Sequence, residues 1–313
     1  MDVNQNVIDK YELVSGSSCA IARSWGCNLI SWIVNGEELI YCPEDLPAAA
    51  TKITGGGNPI LFPSVGRTWN LSGDKPTLGP YRIYGSDRVY HMPNHGILFR
   101  SRFERTGVMQ TPYLVTGTYV LEIPKAVREE NYPFEVRLFQ NFTLKPDRID
   151  LCARIMNLDS KPAPVAFGYH PYFRISNRDR QGLEIKLPAE KELVLTPDTV
   201  LPTGETKEFD GVLKLSPGVY YDNLYTNLVG RRMSLVDRQA GRILHVDFDE
   251  NTELLVVYAP DNSDFVCIEP WTRGLGAFMQ LNHPDWHSTN AIRVLQPREA
   301  MSFSVTFSVE SIM

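Results

Sequence analysis

Glu269 closes a short apolar run, Phe265 to Ile268, and is followed at once by Pro270 and Trp271. The run has the composition of a buried strand, and a proline cannot continue such a strand as a central ladder partner. The pattern predicts a carboxylate at a strand end beside a flat indole. Burial there raises a carboxyl pKa, and a ligand can reach the group. A glutamate at an ordinary strand-to-turn junction, next to a core tryptophan, would have the same local sequence.

Two histidines share this setting. His170 lies in GYHPYF, where Pro171 halts regular pairing and Tyr169, Tyr172 and Phe173 crowd the ring. His95 lies in PNHG, with Gly96 allowing close backbone approach and ILFR read as the start of a strand. A carboxylate and an imidazole, with ordinary pKa values of about 4.3 and 6.5, can supply a base and an acid together. Each histidine taken alone also fits a packed, hydrogen-bonded core residue.

Other chemistries find less support. His91 and His95 are four apart, as are His283 and His287, but Pro93 and Pro284 interrupt any helix that would present them to one metal. No metal site is expected. The glycines of ITGGGNP do not form GxGxxG, and Pro59 stands where a phosphate loop needs a helix start, so no dinucleotide cofactor is expected. Gly55 to Gly57 are expected to fold tightly beside Arg67. Its guanidinium is either a surface charge or a fork donor to hydroxyls or phosphate. Ser64 and Ser101 have no G-x-S-x-G context.

The elements that must position these groups are β-strands. CAIARSWGCNLISWIV alternates apolar and polar residues, Asn35-Gly36 signals a two-residue hairpin turn, and EELIY returns. Thr68 to Asn94 is polar and rich in Gly and Pro, an excursion over a strand edge or cavity mouth. From Tyr113 onward period-2 runs recur: VTGTYVLEI, FEVRLFQNFTL, IDLCARIMNL, LEIKL, ELVLT, RILHVDF, ELLVVYA and MSFSVTFSV. No stretch of a dozen residues carries a 3.6-residue apolar repeat. Helix is confined to a turn or two near Pro43–Ala50 and Gly276–Gln280. The expectation is an all-β, mainly antiparallel sandwich formed by residues 1–313 as a single domain.

The 37 acidic and 31 basic residues give a net charge of -6, and no basic cluster suits a nucleic-acid backbone. No apolar run approaches the roughly 20 residues that cross a bilayer, and the first residues carry no secretory pattern. Five scattered cysteines without a CxxC pair argue against a disulfide framework or a cysteine zinc site and fit a cytoplasmic protein.

Five motifs in order, PILFPSVGR, NHGILFR, GYHPYF, the Asp222-Asn223 pair and CIEPWTRG, make the chain resemble the aldose 1-epimerases, the galactose mutarotase-like proteins, in their divergent branch. The resemblance implies a large antiparallel supersandwich with a sugar cleft on one sheet. It implies Glu269 as the base that deprotonates the anomeric hydroxyl and His170 as the acid that protonates the ring oxygen from the other side of the C1–O5 bond. His95, Arg67 and Asp222 would bind the sugar, and Trp271 is expected to pack on its face. No cofactor or metal is needed, since the reaction only moves protons. The partner is a small sugar, with the protein a monomer or homodimer.

Asn223 stands where the best-known galactose mutarotases have a histidine. GGGNPILFP is also similar to hexose-6-phosphate mutarotases, for which Arg67, Arg88, Arg100 or Arg273 could meet a phosphate. The rival readings are a silent carbohydrate-binding protein on the same fold and a glycoside hydrolase using Glu269 with Asp222.

Overall fold

Alternating apolar and polar residues give each strand one face to bury, and two such sheets satisfy one another by packing face to face. A computed structural model describes residues 7–46, 55–288 and 290–312. It contains a nine-stranded antiparallel sheet whose centre is Val136–Leu144, Arg148–Asn157, Ala300–Ser311 and Arg242–Phe248. Opposite it lies an eight-stranded antiparallel sheet. Its main path runs Pro202–Glu208, Ala189–Leu195, Tyr221–Leu228, Leu254–Ala259, Phe265–Trp271, Gly168–Tyr169 and Ile60–Leu61, with Tyr172–Arg174 also pairing Phe265–Trp271. A four-stranded sheet at the start holds the Asn35-Gly36 hairpin, and both turn residues take positive φ, 50° and 85°. Among the described residues no helix is long and apolar enough to cross a membrane.

The GYHPYF segment shows how the two faces are divided. Tyr169 turns inward, where its hydroxyl donates to Gln140 Oε1 at 2.8 Å and its ring meets Phe303. Phe173 meets Phe307 in the same core, with ring centroids 5.1 Å apart. By the period of two, His170 and Tyr172 then face the other side of the sheet. As expected, Pro171 splits this segment into two short strands, Gly168–Tyr169 and Tyr172–Arg174.

Several expectations are corrected. Pro270 does not end its strand, which runs from Phe265 to Trp271. The Trp271 carbonyl accepts from the Glu253 N–H on one side, so Pro270 faces the other neighbour, which is itself interrupted at His170-Pro171. The missing proline N–H falls opposite Tyr169, the last paired residue before that interruption. ILFR is not a strand start: Leu98–Arg100 forms a 3₁₀ turn, because Gly96 at φ 88° turns the chain and Ile97 N–H bonds Phe62 O.

The one α-helix among the described residues, Lys125–Glu130, is too short to show a helical repeat in sequence. Ala277–Gln280 is a 3₁₀ turn as expected. Pro43–Leu46 is a plain turn, and 47–50 lie outside the described residues. Gly55 to Gly57 pack against Tyr172, Pro43 and Asn28 rather than serving Arg67. The Thr68–Asn94 excursion forms two small hairpins, Trp69–Asn70 with Thr77–Leu78 and Pro80–Arg82 with Val89–His91.

Candidate active site

Glu269 and Trp271 are two apart on one strand and so share a face. The register places Val256 beside Glu269, Tyr258 beside Cys267 and Asp222 beside Tyr258. On the opposite neighbour Gly168 pairs with Trp271 and Tyr172 with Cys267. The same register sets His170 across from Glu269. A cleft of about 200 Å³ opens over these rows, lined by Arg67, Asn94, His95, His170, Tyr172, Tyr220, Asp222, Val256, Tyr258, Glu269 and Trp271. Drug-sized ligand pockets span roughly 300–1,000 Å³, so this one suits a smaller ligand. All six residues singled out from the sequence meet here.

Glu269 is 1% exposed. Its Oε2 accepts from Trp271 Nε1–H at 3.1 Å, while its Oε1 lies 3.3 Å from His170 Nε2 and has no hydrogen-bond partner among the described residues. Burial pushes its carboxyl well above the usual range; the Asp222 charge adds to this and the indole N–H opposes it. Burial lowers the His170 imidazole to about 3, with its own backbone offsetting part of the shift. Both shifts disfavour charge and so favour a neutral pair with one transferable proton between them.

His170 is held by aromatic rings on several sides. Tyr172 stacks on it at 4.7 Å and 12°, while His95 and Tyr258 meet it edge-on at 5.5 Å and 6.0 Å. The loop carrying His95 is fixed reciprocally: His95 N–H donates to Gly66 O at 2.9 Å, and Gly66 N–H donates to His95 Nδ1 at 3.2 Å. An Nδ1 that accepts leaves the ring proton on Nε2, so neutral His95 is a donor. Burial, then the neighbouring His170 and Arg67, hold His95 well below the ordinary histidine value. Gly96 is required here, since a Cβ would fall 2.0 Å from Phe62 O.

Asp222 is half-buried; desolvation raises its pKa, opposed by the Arg67 charge and a hydrogen bond from Tyr220. Arg67 makes no hydrogen bond among the described residues and borders both this cleft and a smaller adjoining cavity of about 50 Å³. Asn94 also lines the cleft, and its Oδ1 is buried without a partner. Asn223 turns away and donates to Glu192 Oε1 at 2.9 Å. Sequence reasoning missed Tyr172, Tyr220, Tyr258 and Asn94 as lining residues. Tyr172 was within reach, two residues beyond His170 on the same face. Tyr220 was likewise within reach, two residues before Asp222, whereas Tyr258 needed the cross-strand register.

One other donor set exists among the described residues. Ligand atoms of Cys267, His170 and Glu269 lie within 4.8 Å of one another. Burial raises the Cys267 thiol well above its ordinary value. Cys267 is fully buried and does not line the cleft.

A family model described as Aldose 1-epimerase matches residues 9–308. The chromosomal LacX protein of Lactococcus lactis subsp. lactis is 25% identical over 246 residues, which is 73% of this chain and 78% of that protein. Among solved structures, the Slr1438 protein from Synechocystis sp. PCC 6803 superposes with a TM-score of 0.80 at 24% identity, covering 98% of this chain and 97% of that one. A galactose mutarotase-like protein from Clostridium acetobutylicum gives a TM-score of 0.75 at 16% identity, covering 98% and 99%. At these identities the structural likeness is one of fold, and it agrees with the supersandwich implied by the motifs.

Proposed function

The chain belongs to the aldose 1-epimerase family, and from that premise we propose that it interconverts the α and β anomers of an unphosphorylated hexose by acid–base ring opening. Membership makes it an epimerase-type isomerase with a sugar substrate. The observation that carries the finer reading is the buried Glu269–His170 pair, 3.3 Å apart in the floor of a monosaccharide-sized cleft.

In the working arrangement the shared proton sits on His170 and Glu269 is ionised. Glu269 Oε1 takes the proton of the anomeric hydroxyl, the C1–O1 bond becomes a carbonyl, and the C1–O5 bond breaks. The departing electron pair on O5 takes the His170 proton. The anomeric hydroxyl and the ring oxygen are bonded to the same carbon, so two groups in contact reach both from one side. This reading differs from the opposed arrangement that the resemblance implies. After rotation about C1–C2 the steps reverse, and the pair again holds one proton.

His95 Nε2–H and the Arg67 guanidinium supply donors to the developing charge on O5 and to hydroxyls. Asp222 and Asn94 Oδ1 supply acceptors. A core running from Tyr11 to Phe307 supports reading the chain as one domain.

Charge favours the unphosphorylated substrate. Of the four arginines considered for a phosphate, only Arg67 lines the cleft, and Asp222 faces it. Arg273 is engaged by Glu253 Oε1 at 2.6 Å and by Asn290 O, and Arg88 lies over Tyr90. The one guanidinium lining the cleft is matched by the Asp222 carboxyl, which leaves no surplus positive charge among the described lining residues for a phosphate dianion. Polarimetry of freshly dissolved α-D-galactose, α-D-glucose and glucose-6-phosphate tests this reading. Acceleration on a free hexose supports it. Saturable sugar binding without acceleration, or preference for the phosphorylated sugar, contradicts it.

A further inference from the structure

We propose that Trp271 is the positioning residue of the Glu269 carboxylate and not a platform for the sugar face. This rests on the reading of Glu269 as the base. The two side chains are i and i+2 on one strand, and the indole Nε1–H donates to Oε2 at 3.1 Å. A carboxylate on a flexible glutamate stem can rotate either oxygen toward a ligand. Here the donor holds Oε2, and Oε1 is the oxygen left without a partner, 3.3 Å from His170 Nε2.

The indole is wedged so that it cannot swing away. A Cβ on Gly168 would lie 2.5 Å from Trp271 Cδ1 and 3.1 Å from Cγ, so this position must be glycine for the ring to lie where it does. A Cβ on Gly66 would lie 3.7 Å from Cζ3, and His95 meets the ring edge-on at 5.6 Å. The side chain is 4% exposed as a result. A sugar platform needs an open ring face, and these neighbours leave Trp271 little to offer. Tyr220, at the cleft mouth and 59% exposed, has that character instead.

The bond acts on charge as well as on geometry. A donor to a carboxylate stabilises its ionised form, which is the form the base needs, and this opposes the burial that raises the Glu269 pKa. A hydrogen bond to a charged group corresponds to a fall in kcat of about ten- to a hundredfold when it is lost.

The test replaces Trp271 with 3-benzothienylalanine, which keeps the shape of the indole and puts sulfur in place of N–H. Trp271→Phe and Gly168→Ala serve as second variants, the latter displacing the donor without removing it, and Glu269→Gln is assayed alongside. The expected result for the analogue is a ten- to hundredfold lower kcat, KM within about threefold, and an alkaline limb of kcat/KM moved to higher pH. A raised KM with unchanged kcat would restore the platform role. A lower kcat with an unmoved alkaline limb would mean packing alone, and either result overturns the proposal. Glu269→Gln at the wild-type rate would instead sink the base assignment on which it rests.

Discussion

His170 stands directly across from Glu269 at the one interruption in the ladder between their strands. Gly168 pairs with Trp271 and Tyr172 with Cys267 on either side of them, and the two side chains meet at 3.3 Å between Nε2 and Oε1. The prolines that follow each residue, Pro171 and Pro270, lie at that interruption. The proposed proton-transfer pair therefore sits beside a break in the pairing of its two strands.

The pair predicts an unusual pH profile. Activity requires one proton on the couple, so it is lost below the lower macroscopic pKa and above the upper one. His170 is lowered to about 3 and Glu269 is raised well above a carboxylate. The kcat/KM of anomerisation, corrected for buffer catalysis, should pass through pH 6.5 without an acid limb and fall only as pH rises through the raised Glu269 value. An acid limb near 6.5 would show an ordinary histidine.

Stability should respond to the same burial. Glu269 has a raised folded-state pKa, so its contribution is fully present below the unfolded value of about 4.3 and is lost as pH rises through the folded value. Glu269→Gln removes that linkage. Its stability relative to wild type should rise between pH 5 and pH 8. Denaturant melts at the two pH values check this; a constant difference would contradict it.

Arg67 should act in binding and in polarising the ring oxygen, and Asp222 in binding sugar hydroxyls. Arg67→Ala removes a charged donor, and loss of such a bond costs about 1.5–3 kcal/mol, or at least tenfold in kcat/KM. Asp222→Asn should raise KM more than it lowers kcat. Steady-state polarimetry separates the two, and unchanged kinetics in Arg67→Ala would remove it from the site.

Gly96→Ala should be damaging far beyond its size. The position has φ 88°, and a Cβ would fall 2.0 Å from Phe62 O, which is backbone and cannot move aside cheaply. The variant should lose at least about 2 kcal/mol of stability. His95 should lose its place with it. A melt matching wild type would contradict the clash.

Much of this was legible in the sequence because local chemistry dictated it. Asn35-Gly36 names a turn that needs two positive φ values, and alternation names the strands. The six candidate site residues were reached through motifs, all but the Asp222-Asn223 pair marked by a Gly or Pro break. What escaped was non-local. Whether Pro270 could stay in a strand depended on which neighbour its missing N–H would face. Tyr258 joined the cleft only through pairing of Leu254–Ala259 with its neighbours, and Tyr169 is anchored by Gln140, 29 residues away. The Lys125–Glu130 helix is too short to leave a period.

The central claim is that Glu269 and His170 pass protons to and from one sugar. Magnetisation exchange between the α and β anomeric signals of a free hexose at equilibrium measures that step without a coupled assay. Wild type should raise the exchange rate of galactose or glucose above the spontaneous value, and Glu269→Gln and His170→Asn should each return it to that value. Exchange at the wild-type rate in either variant would contradict the account.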